Sequence, residues 1–347
     1  MIVQSITLHN FRNYTDSTIP LHPQLTIIFG PNAQGKTNLL EGIFTALHAY
    51  GFRESKEDEL IRWNTNEMYV ETVEKEKNTS FLFQIVFRLG NSGLVKKLLI
   101  QKAPTHTAHY LEMQTRSVLF APNHIDIITG TPDMRRNYID SCILSMNPRY
   151  KTILRNYEQA LRKRNKVLEH HNNIATLREE IEFWNTYLQQ QADVIFSERQ
   201  QYCTFLNTQP HLEQREYTIA YTANRFTKER CMQYFQDEQR FRRTLIGPQK
   251  DDFIIYQINH QKQDLHIFGS RSEQRLGVFW LKYNEIRYIT EQKKSKPILL
   301  LDDVFSELDK VNKELVLRLI TQYQTVLTTT EPEIPELTSA EKHIVRL

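Results

Sequence analysis

The sequence predicts an α/β lobe built from both ends of the chain, with a mostly helical lobe inserted between them. Strand-like runs dominate up to about residue 101, amphipathic helical patterns dominate from about residue 131, and an apolar strand, a helix and a short strand return after residue 297. The chain has 347 residues, more than the roughly 250–300 at which a single core stops growing. We therefore expect two lobes, formed by residues 1–118 with 294–347 and by residues 119–293.

The first third of the chain reads as strands around one helix. Leu25–Phe29 is continuously apolar, which is typical of a strand buried on both faces. The segment after Thr37 has apolar residues on one helical face and predicts a helix. Four further strands are predicted by alternation or apolar runs: Ile2–Leu8, Met68–Val73, Phe81–Leu89 and Leu94–Ile100.

The middle of the chain reads as helices. Thr131-Pro132 predicts a helix start, because proline is favoured at the first helical position. A helix over about 148–170 and a second one after Asn172-Asn173 carry apolar stripes and predict an antiparallel helical hairpin. Strand signals return at Tyr217–Tyr221 and Phe253–Ile258.

The last part of the chain returns to an α/β pattern. A helix is predicted from Ser270 to about Thr290, and Pro297 then precedes the apolar strand Ile298–Leu301. A last helix over about 307–323 and a short strand at Thr325–Leu327 follow.

Composition indicates an ordinary soluble protein, with 40% hydrophobic and 24% charged residues. The net charge of +3 is too small to indicate nucleic-acid binding, so any basic surface must be local. The cysteines at 142, 203 and 231 have no metal-ligand spacing and are expected to be reduced and inert. No apolar run is long enough to cross a bilayer, and the N-terminus does not resemble a signal peptide. We expect a cytoplasmic protein with no membrane partner.

A phosphate-binding loop is predicted between the strand at 25–29 and the helix that follows. The pattern G-x-x-x-x-G-K-T is filled by Gly30, Pro31, Asn32, Ala33, Gln34, Gly35, Lys36 and Thr37. Such a loop points its backbone N–H groups at phosphate oxygens, its lysine supplies a positive charge, and its threonine offers a hydroxyl to magnesium. The flanking strand and helix argue against a chance match. We therefore predict ATP and Mg²⁺ as cofactors.

Two acids end the apolar strand at 298–301. Asp302 is the candidate for holding magnesium, and Asp303 for polarising a water molecule that attacks the terminal phosphate. The alternative is that both acids only cap the next turn.

Several segments resemble the RecF family of bacterial DNA replication and repair proteins, ABC-type ATPases related to SMC and Rad50 heads. The matching segments are Leu8–Tyr14, Phe120-Ala121-Pro122, Arg135–Asp140, Tyr157–Asn165, Gly247–Asp252 and Asp302–Asp309. The segments between Phe120 and Asp252 select this family among the many ATPases that share the phosphate loop. The resemblance implies an ABC-type P-loop ATPase head with a mixed sheet, and it implies that Arg12 binds the nucleotide.

The resemblance also implies a signature loop at Phe268–Arg275, which would close on the ATP of a second subunit in a head-to-head homodimer. Ser270 and Glu273 are then nucleotide-binding residues. From the residues alone, they form a helix cap that presents N–H groups to an anion, or only an ordinary cap. Ser272 stands where the family has glycine, so we expect weakened closure. Asn123 stands where the family usually has an acid, with no consequence that we can assign.

A basic helical face within 148–170 is the candidate DNA contact. Lys151, Arg155, Arg162 and Lys166 follow at spacings of four, seven and four residues. Such a face suits phosphate backbone with little sequence preference, although a charged helical face is often only solvated. Arg135 and Arg136 are as readily explained as structural ion-pair partners.

The function that these features favour is an ATP-dependent DNA-binding protein of recombinational repair and replication restart, with a place in the SOS response. The resemblance implies binding at single-/double-stranded DNA junctions or gaps, slow DNA-dependent ATP hydrolysis that releases DNA, and RecR and RecO as partners. One alternative is the ATPase head of an SMC-like nuclease, which needs a carboxylate-rich metal domain. Another is a transporter subunit, against which Thr328-Thr329-Thr330 stand in place of a switch histidine.

Overall fold

The computed structural model describes residues 1–53, 56–91, 93–170, 174–308, 310–334 and 340–347. They form two compact units: Met1–His124 with Glu285–Leu347, and Ile125–Asn284. The predicted hairpin break at Asn172-Asn173 and the last residue of the matching segment, Asp309, lie outside the described residues. The lobe ranges given above stay a prediction.

The strands and helices lie in a definite chain order. The strands are β1 (Ile2–Phe11), β2 (Tyr14–Pro20), β3 (Leu25–Phe29), β4 (Glu67–Glu76), β5 (Thr79–Gly90), β6 (Gly93–Ile100), β7 (Ala103–Thr105), β8 (Ser117–Phe120), β9 (His211–Leu212), β10 (Arg215–Thr222), β11 (Asp252–Ile258), β12 (Lys262–Asp264), β13 (Ile298–Asp302), β14 (Thr325–Thr329) and β15 (Lys342–Arg346). The helices are α1 (Lys36–His48), α2 (Thr107–Met113), α3 (Asp126–Thr129), α4 (Pro132–Met146), α5 (Tyr150–His170), α6 (Ile174–Thr208), α7 (Lys228–Phe241), α8 (Leu265–Phe268), α9 (Arg271–Lys293) and α10 (Lys310–Ile320). Short 3₁₀ turns lie at Glu57–Leu60, Pro122–Ile125, Pro248–Lys250 and Val304–Glu307.

The first unit contains an antiparallel sheet with the strand order β2-β1-β4-β5-β6-β7. Alternate residues of β4 and β5, such as Val70, Phe83 and Ile85, are fully buried. Their neighbours along each strand are partly exposed. One face of this sheet therefore contributes to the core, as the alternating sequence predicts.

A second sheet of the first unit is parallel throughout, in the order β15-β3-β14-β13-β8. All five residues of β13 and of β14 are buried, which explains their continuous apolar sequence. Helix α1 packs against strands of both sheets. The parallel and antiparallel pairings thus occur in two sheets and not in a single mixed one.

The first unit differs from the sequence-based expectation in several elements, among them β15, β8 and the last helix. Strand β15 was not predicted and pairs in parallel with β3. Strand β8, where we expected the first lobe to end, pairs in parallel with β13. The last helix begins at Lys310 and not at 307, because Asp303 has a left-handed backbone with φ of 47° and residues 304–307 form a 3₁₀ turn.

The second unit contains the helical hairpin and a small antiparallel sheet in the order β12-β11-β10-β9. Leu168 of α5 packs with Leu177 and Ile181 of α6. A fully buried ion pair joins Arg164 to Glu238 at 2.6 Å. Helix α7, which contains Glu238, was not predicted from the sequence.

Across the parts of the chain described above, no helix is long and apolar enough to cross a membrane.

Candidate nucleotide-binding site

The predicted phosphate loop lies between β3 and α1, at the carboxyl edge of the parallel sheet. Gly35 has φ of 105°, and a Cβ atom there would lie 2.5 Å from the side-chain nitrogen of Asn13. The backbone conformation therefore requires glycine at this position, since residues with side chains rarely adopt such a φ. Ala33 also has a left-handed backbone, with φ of 66°. This tight path leads directly into the N-terminus of α1, where unpaired N–H groups favour an anion.

Lys36 folds back over the start of its own loop. Its Nζ atom donates to the carbonyl oxygens of Gly30 and Pro31, each at 2.7 Å. The side chain is almost buried. Since an ammonium group has three protons, one more donor remains for a phosphate oxygen beside the loop.

Thr37 and Asp302 are brought together across 265 residues of sequence. The Thr37 hydroxyl donates to Asp302 Oδ1 at 2.9 Å, and the Thr328 hydroxyl donates to the same oxygen at 2.8 Å. Thr328 is paired with Asp302 in the parallel register of β13 and β14. Thr37 and Asp302, the two predicted magnesium ligands, thus lie directly beside each other. Thr328, on the neighbouring strand β14, also holds the Asp302 carboxylate.

Burial raises the pKa of Asp302, while the hydroxyls of Thr328 and Thr37 and the charge of Arg53 act in the opposite direction. A carboxylate in such a setting gains from a cation, because the cation's charge offsets the cost of burying the ionised form.

Asp303 follows directly and itself has a left-handed backbone, with φ of 47°. Its backbone N–H donates to Thr328 Oγ1 at 3.0 Å, and its Oδ2 accepts from Ser306 at 3.1 Å. Its Oδ1 is buried and has no hydrogen-bond partner among the described residues. A buried oxygen without a donor suits a water molecule or a cation, because leaving it unpaired is costly.

These residues fit ATP with magnesium. Hydroxyl and carboxylate oxygens are the ligands that Mg²⁺ prefers, and it usually takes only one or two carboxylates and completes its shell with phosphate and water. The described residues include no cluster of three or more His, Cys, Asp or Glu that could hold a metal by itself.

Arg12 lies beside the first turn of α1, where it forms a two-pronged ion pair with Glu41. Arg53 binds the same carboxylate at 2.6 Å. Sequence reasoning missed Glu41 and Arg53. The available signal was the single acid of α1, which stands among the apolar residues Leu39, Leu40 and Ile43, since an acid is rarely buried without a partner.

In the second unit, Ser270 and Glu273 form the predicted capping pair. Glu273 Oε2 accepts from the Ser270 backbone N–H at 2.8 Å and from its hydroxyl at 2.7 Å, and the Glu273 N–H donates back at 3.3 Å. The Ser270 hydrogen bonds lower the pKa of Glu273. The Glu273 carboxylate is thus hydrogen-bonded to Ser270 at the start of α9. The backbone N–H groups of α9 are therefore the groups of this segment that can bind an anion.

Ser272 lies exposed in the first turn of α9. Its backbone is not among those with positive φ. Serine therefore causes no backbone strain at this position, and the weakened closure expected from the sequence can arise only from the space that its side chain takes.

The candidate DNA-contact residues Lys151, Arg155, Arg162 and Lys166 all lie exposed on α5. Arg162 lies 3.9 Å from the carboxylate of Glu158 on the same helix. Elsewhere in this unit, Arg135 and Arg136 have structural partners. Arg135 forms a bidentate pair with Asp252, and Arg136 binds Asp133 and the carbonyl oxygen of Asp251.

Comparisons with known proteins agree with this architecture. The family model of the RecF/RecN/SMC N terminal domain matches residues 2–342. A DNA replication and repair protein RecF from Natranaerobius thermophilus is 33% identical over 360 residues, covering 96% of this chain and 92% of the relative. One from Clostridium perfringens is 31% identical, with 98% and 95% covered.

Solved structures show the same relationship. The structure of the recombination mediator protein RecF-ATPrS in the RecFOR pathway superposes with a TM-score of 0.87 at 25% identity, covering 99% of this chain and 97% of that one. The Smc head domain from Pyrococcus furiosus has a TM-score of 0.52 at 15% identity, with 97% and 92% covered, and supports the fold alone.

The parallel sheet, the phosphate loop and the acid-ended strand define an ABC-type P-loop ATPase head. The chain belongs to the RecF family.

Proposed function

We propose that this chain is an ATP-binding DNA repair and replication protein that acts as a recombination mediator. The observation that carries the proposal is the 2.9 Å hydrogen bond between Thr37 and Asp302. It joins the phosphate loop to the end of the neighbouring strand, where magnesium is held in P-loop ATPases. The match to RecF proteins over 96% of the chain favours this function over a nuclease-type head.

The residues have distinct roles in this proposal. The backbone N–H groups of residues 30–37 and the ammonium of Lys36 bind the phosphates. Thr37 and Asp302 hold Mg²⁺, which supplies positive charge against the terminal phosphates. Asp303 orients a water molecule through its unpaired oxygen. The expected activity is slow, DNA-dependent ATP hydrolysis that serves as a switch.

The start of α9 would supply the second half of the nucleotide site, and this is the reason to expect dimerisation. The N-terminus of α9, capped by Ser270, would approach the ATP held by a second copy of the chain. Two ATP molecules would then join two copies head to head. This arrangement makes the oligomeric state depend on nucleotide.

The DNA partner is expected to contact the basic residues of α5 at its phosphates. Lys151, Arg155, Arg162 and Lys166 are exposed and carry no base-reading pattern, so little sequence preference is expected. Gapped duplexes or single-/double-stranded junctions are the proposed substrates. RecR and RecO are the proposed protein partners, and the cytoplasm is the proposed location.

Sizing by light scattering tests the proposal, with MgATP and a short gapped duplex added to the wild type and to Lys36→Arg. The wild type is expected to form ATP-dependent dimers that retain DNA. Lys36→Arg keeps the charge but cannot place a compact ammonium at the loop, and we expect it to lose about tenfold or more of the ATP affinity. A wild type that stays monomeric and releases DNA equally with or without ATP contradicts the proposal, and degradation of the DNA would indicate a nuclease.

A further inference from the structure

Glu41 is a buried acid one helical turn beyond Thr37. Its side chain is fully buried among the apolar residues of α1, such as Leu40 and Ile43. Its two oxygens accept from Arg12 Nε at 2.9 Å and Nη2 at 3.1 Å, and from Arg53 Nη2 at 2.6 Å. An ionised carboxylate is costly to bury unless it is paired, so this one holds two guanidinium groups in fixed places.

The first arginine belongs to a turn that touches the phosphate loop. Arg12 lies between β1 and β2 with φ of 50°. Its neighbours in the turn bind the loop backbone, with Asn13 donating to the Gln34 carbonyl at 3.3 Å and Tyr14 to the Gly35 carbonyl at 3.1 Å. The position of Arg12 is therefore tied to the loop on one side and to Glu41 on the other.

The second arginine, Arg53, follows the end of α1 in the chain and also binds Glu41. Arg53 donates to the side chain of Asn38, and Asn38 donates to Asn13 at 2.7 Å. Its side chain is 37% exposed. Arg53 is thus tied to Asn13, beside the phosphate loop, through the side chain of Asn38.

We propose that Glu41 is a positioning residue of the nucleotide site, which fixes Arg12 and Arg53 beside the phosphate loop so that their charges attract the phosphates of a nucleoside triphosphate. This inference rests on the proposed function. Two guanidinium groups and one carboxylate leave a net positive charge next to the loop. A fixed charge of this kind favours a triphosphate over a diphosphate, because the triphosphate is more negative.

A purely electrostatic role of Glu41 and a positioning role predict opposite changes in ATP affinity when Glu41 is made neutral. Glu41→Gln removes a negative charge, so a freely adjusting site would bind ATP more tightly. If Glu41 fixes the two arginines, the same change releases them, and ATP binds more weakly. The sign of the change therefore distinguishes a positioning role from a general electrostatic one.

The test is titration calorimetry of the full chain with MgATP and MgADP. Glu41→Gln is expected to weaken MgATP binding roughly tenfold or more, as for the loss of a charge-assisted hydrogen-bond pair. MgADP should lose less, so the ratio of the two affinities falls. The matched control is Glu74→Gln, which removes another fully buried acid of the first unit, on β4, and should leave that ratio unchanged.

Arg53→Lys provides a second variant should Glu41→Gln fail to fold. It keeps the charge on a partly exposed side chain but lacks the fork that binds both Asn38 and Glu41. We expect it also to lower the preference for MgATP. Unchanged preference in Arg53→Lys, or unchanged or tighter MgATP binding in folded Glu41→Gln, overturns the inference alone. A wild type that binds neither nucleotide overturns the proposed function.

Discussion

At the scale of single residues, two buried acids of the first unit have opposite surroundings. Asp302 receives two hydroxyl hydrogen bonds and lies within reach of the charge of Arg53. Glu74 has one described hydrogen bond, from the Thr115 backbone at 3.1 Å, and its other oxygen is buried without a partner among the described residues. Burial consequently raises the pKa of Glu74 to about 7, although Thr115, the amino terminus and Arg116 act in the opposite direction.

Glu74 is expected to make the free energy of unfolding depend on pH. Because the pKa of Glu74 is higher in the folded state than the ordinary value of 4.5, the folded protein binds this proton more tightly. Its stability therefore falls as pH rises from about 4.5 to about 7 and stays lower above that, by roughly 3 kcal/mol at most. Urea unfolding across this pH range should show a flatter profile for Glu74→Gln. An identical profile would contradict the role of burial at this position.

The acids of the site could be predicted from the sequence, but their partners could not. Asp302 follows a short apolar run, which is a local pattern. Thr328 holds it only because β13 and β14 are paired in one particular parallel register, and local patterns do not determine register. Glu41 was missed for a similar reason, since both of its arginines come from outside its helix.

At the scale of elements, several contacts hold the start of α9 in place. Gly269 is required there, because a Cβ atom would lie 2.6 Å from the Leu265 carbonyl oxygen. The Gln274 side chain donates to that same oxygen at 3.0 Å. With the Ser270–Glu273 capping pair, these contacts fix the direction in which the first N–H groups of α9 point.

Replacing Ser272 with glycine is expected to raise ATP-dependent dimerisation severalfold, which corresponds to about 1 kcal/mol. The reason is that a smaller residue at position 272, at the start of α9, lets a second copy of the chain approach more closely. Glycine in the first turn should also lower stability by up to about 1 kcal/mol. Light scattering with MgATP gives the dimer fraction and thermal unfolding gives the stability. No change in dimer fraction would sink this hypothesis.

Elements with strong apolar patterns followed from the sequence, and elements with weak patterns did not. Strand β3 and helix α5 have strong apolar patterns, and the structure places them close to the predicted bounds. Strand β15 has only five residues and none of them is buried, so its pattern is weak. It is a strand because its backbone pairs with β3, which is a tertiary cause.

At the scale of the whole molecule, the two units carry different halves of the proposed chemistry. The first unit holds the phosphate loop and the acids. The second holds the capped start of α9 and the basic face of α5. The resemblance to the RecF family predicted that the two units contribute different parts of the site. No sequence pattern could specify it, because the composite site would form between two copies of the chain.

In the proposed dimer, α9 of one copy closes over the ATP that is bound by the other copy. The most direct measurement is light scattering with MgATP on Ser270→Arg, with nucleotide binding measured in parallel. The matched control is Thr227→Arg, because Thr227 caps α7 in the same unit and its loss costs a similar cap, worth about 1 kcal/mol.

We predict that Ser270→Arg binds MgATP as a monomer but no longer dimerises, whereas Thr227→Arg dimerises like the wild type. A Ser270→Arg protein that forms ATP-dependent dimers to the same extent as the wild type would contradict the account.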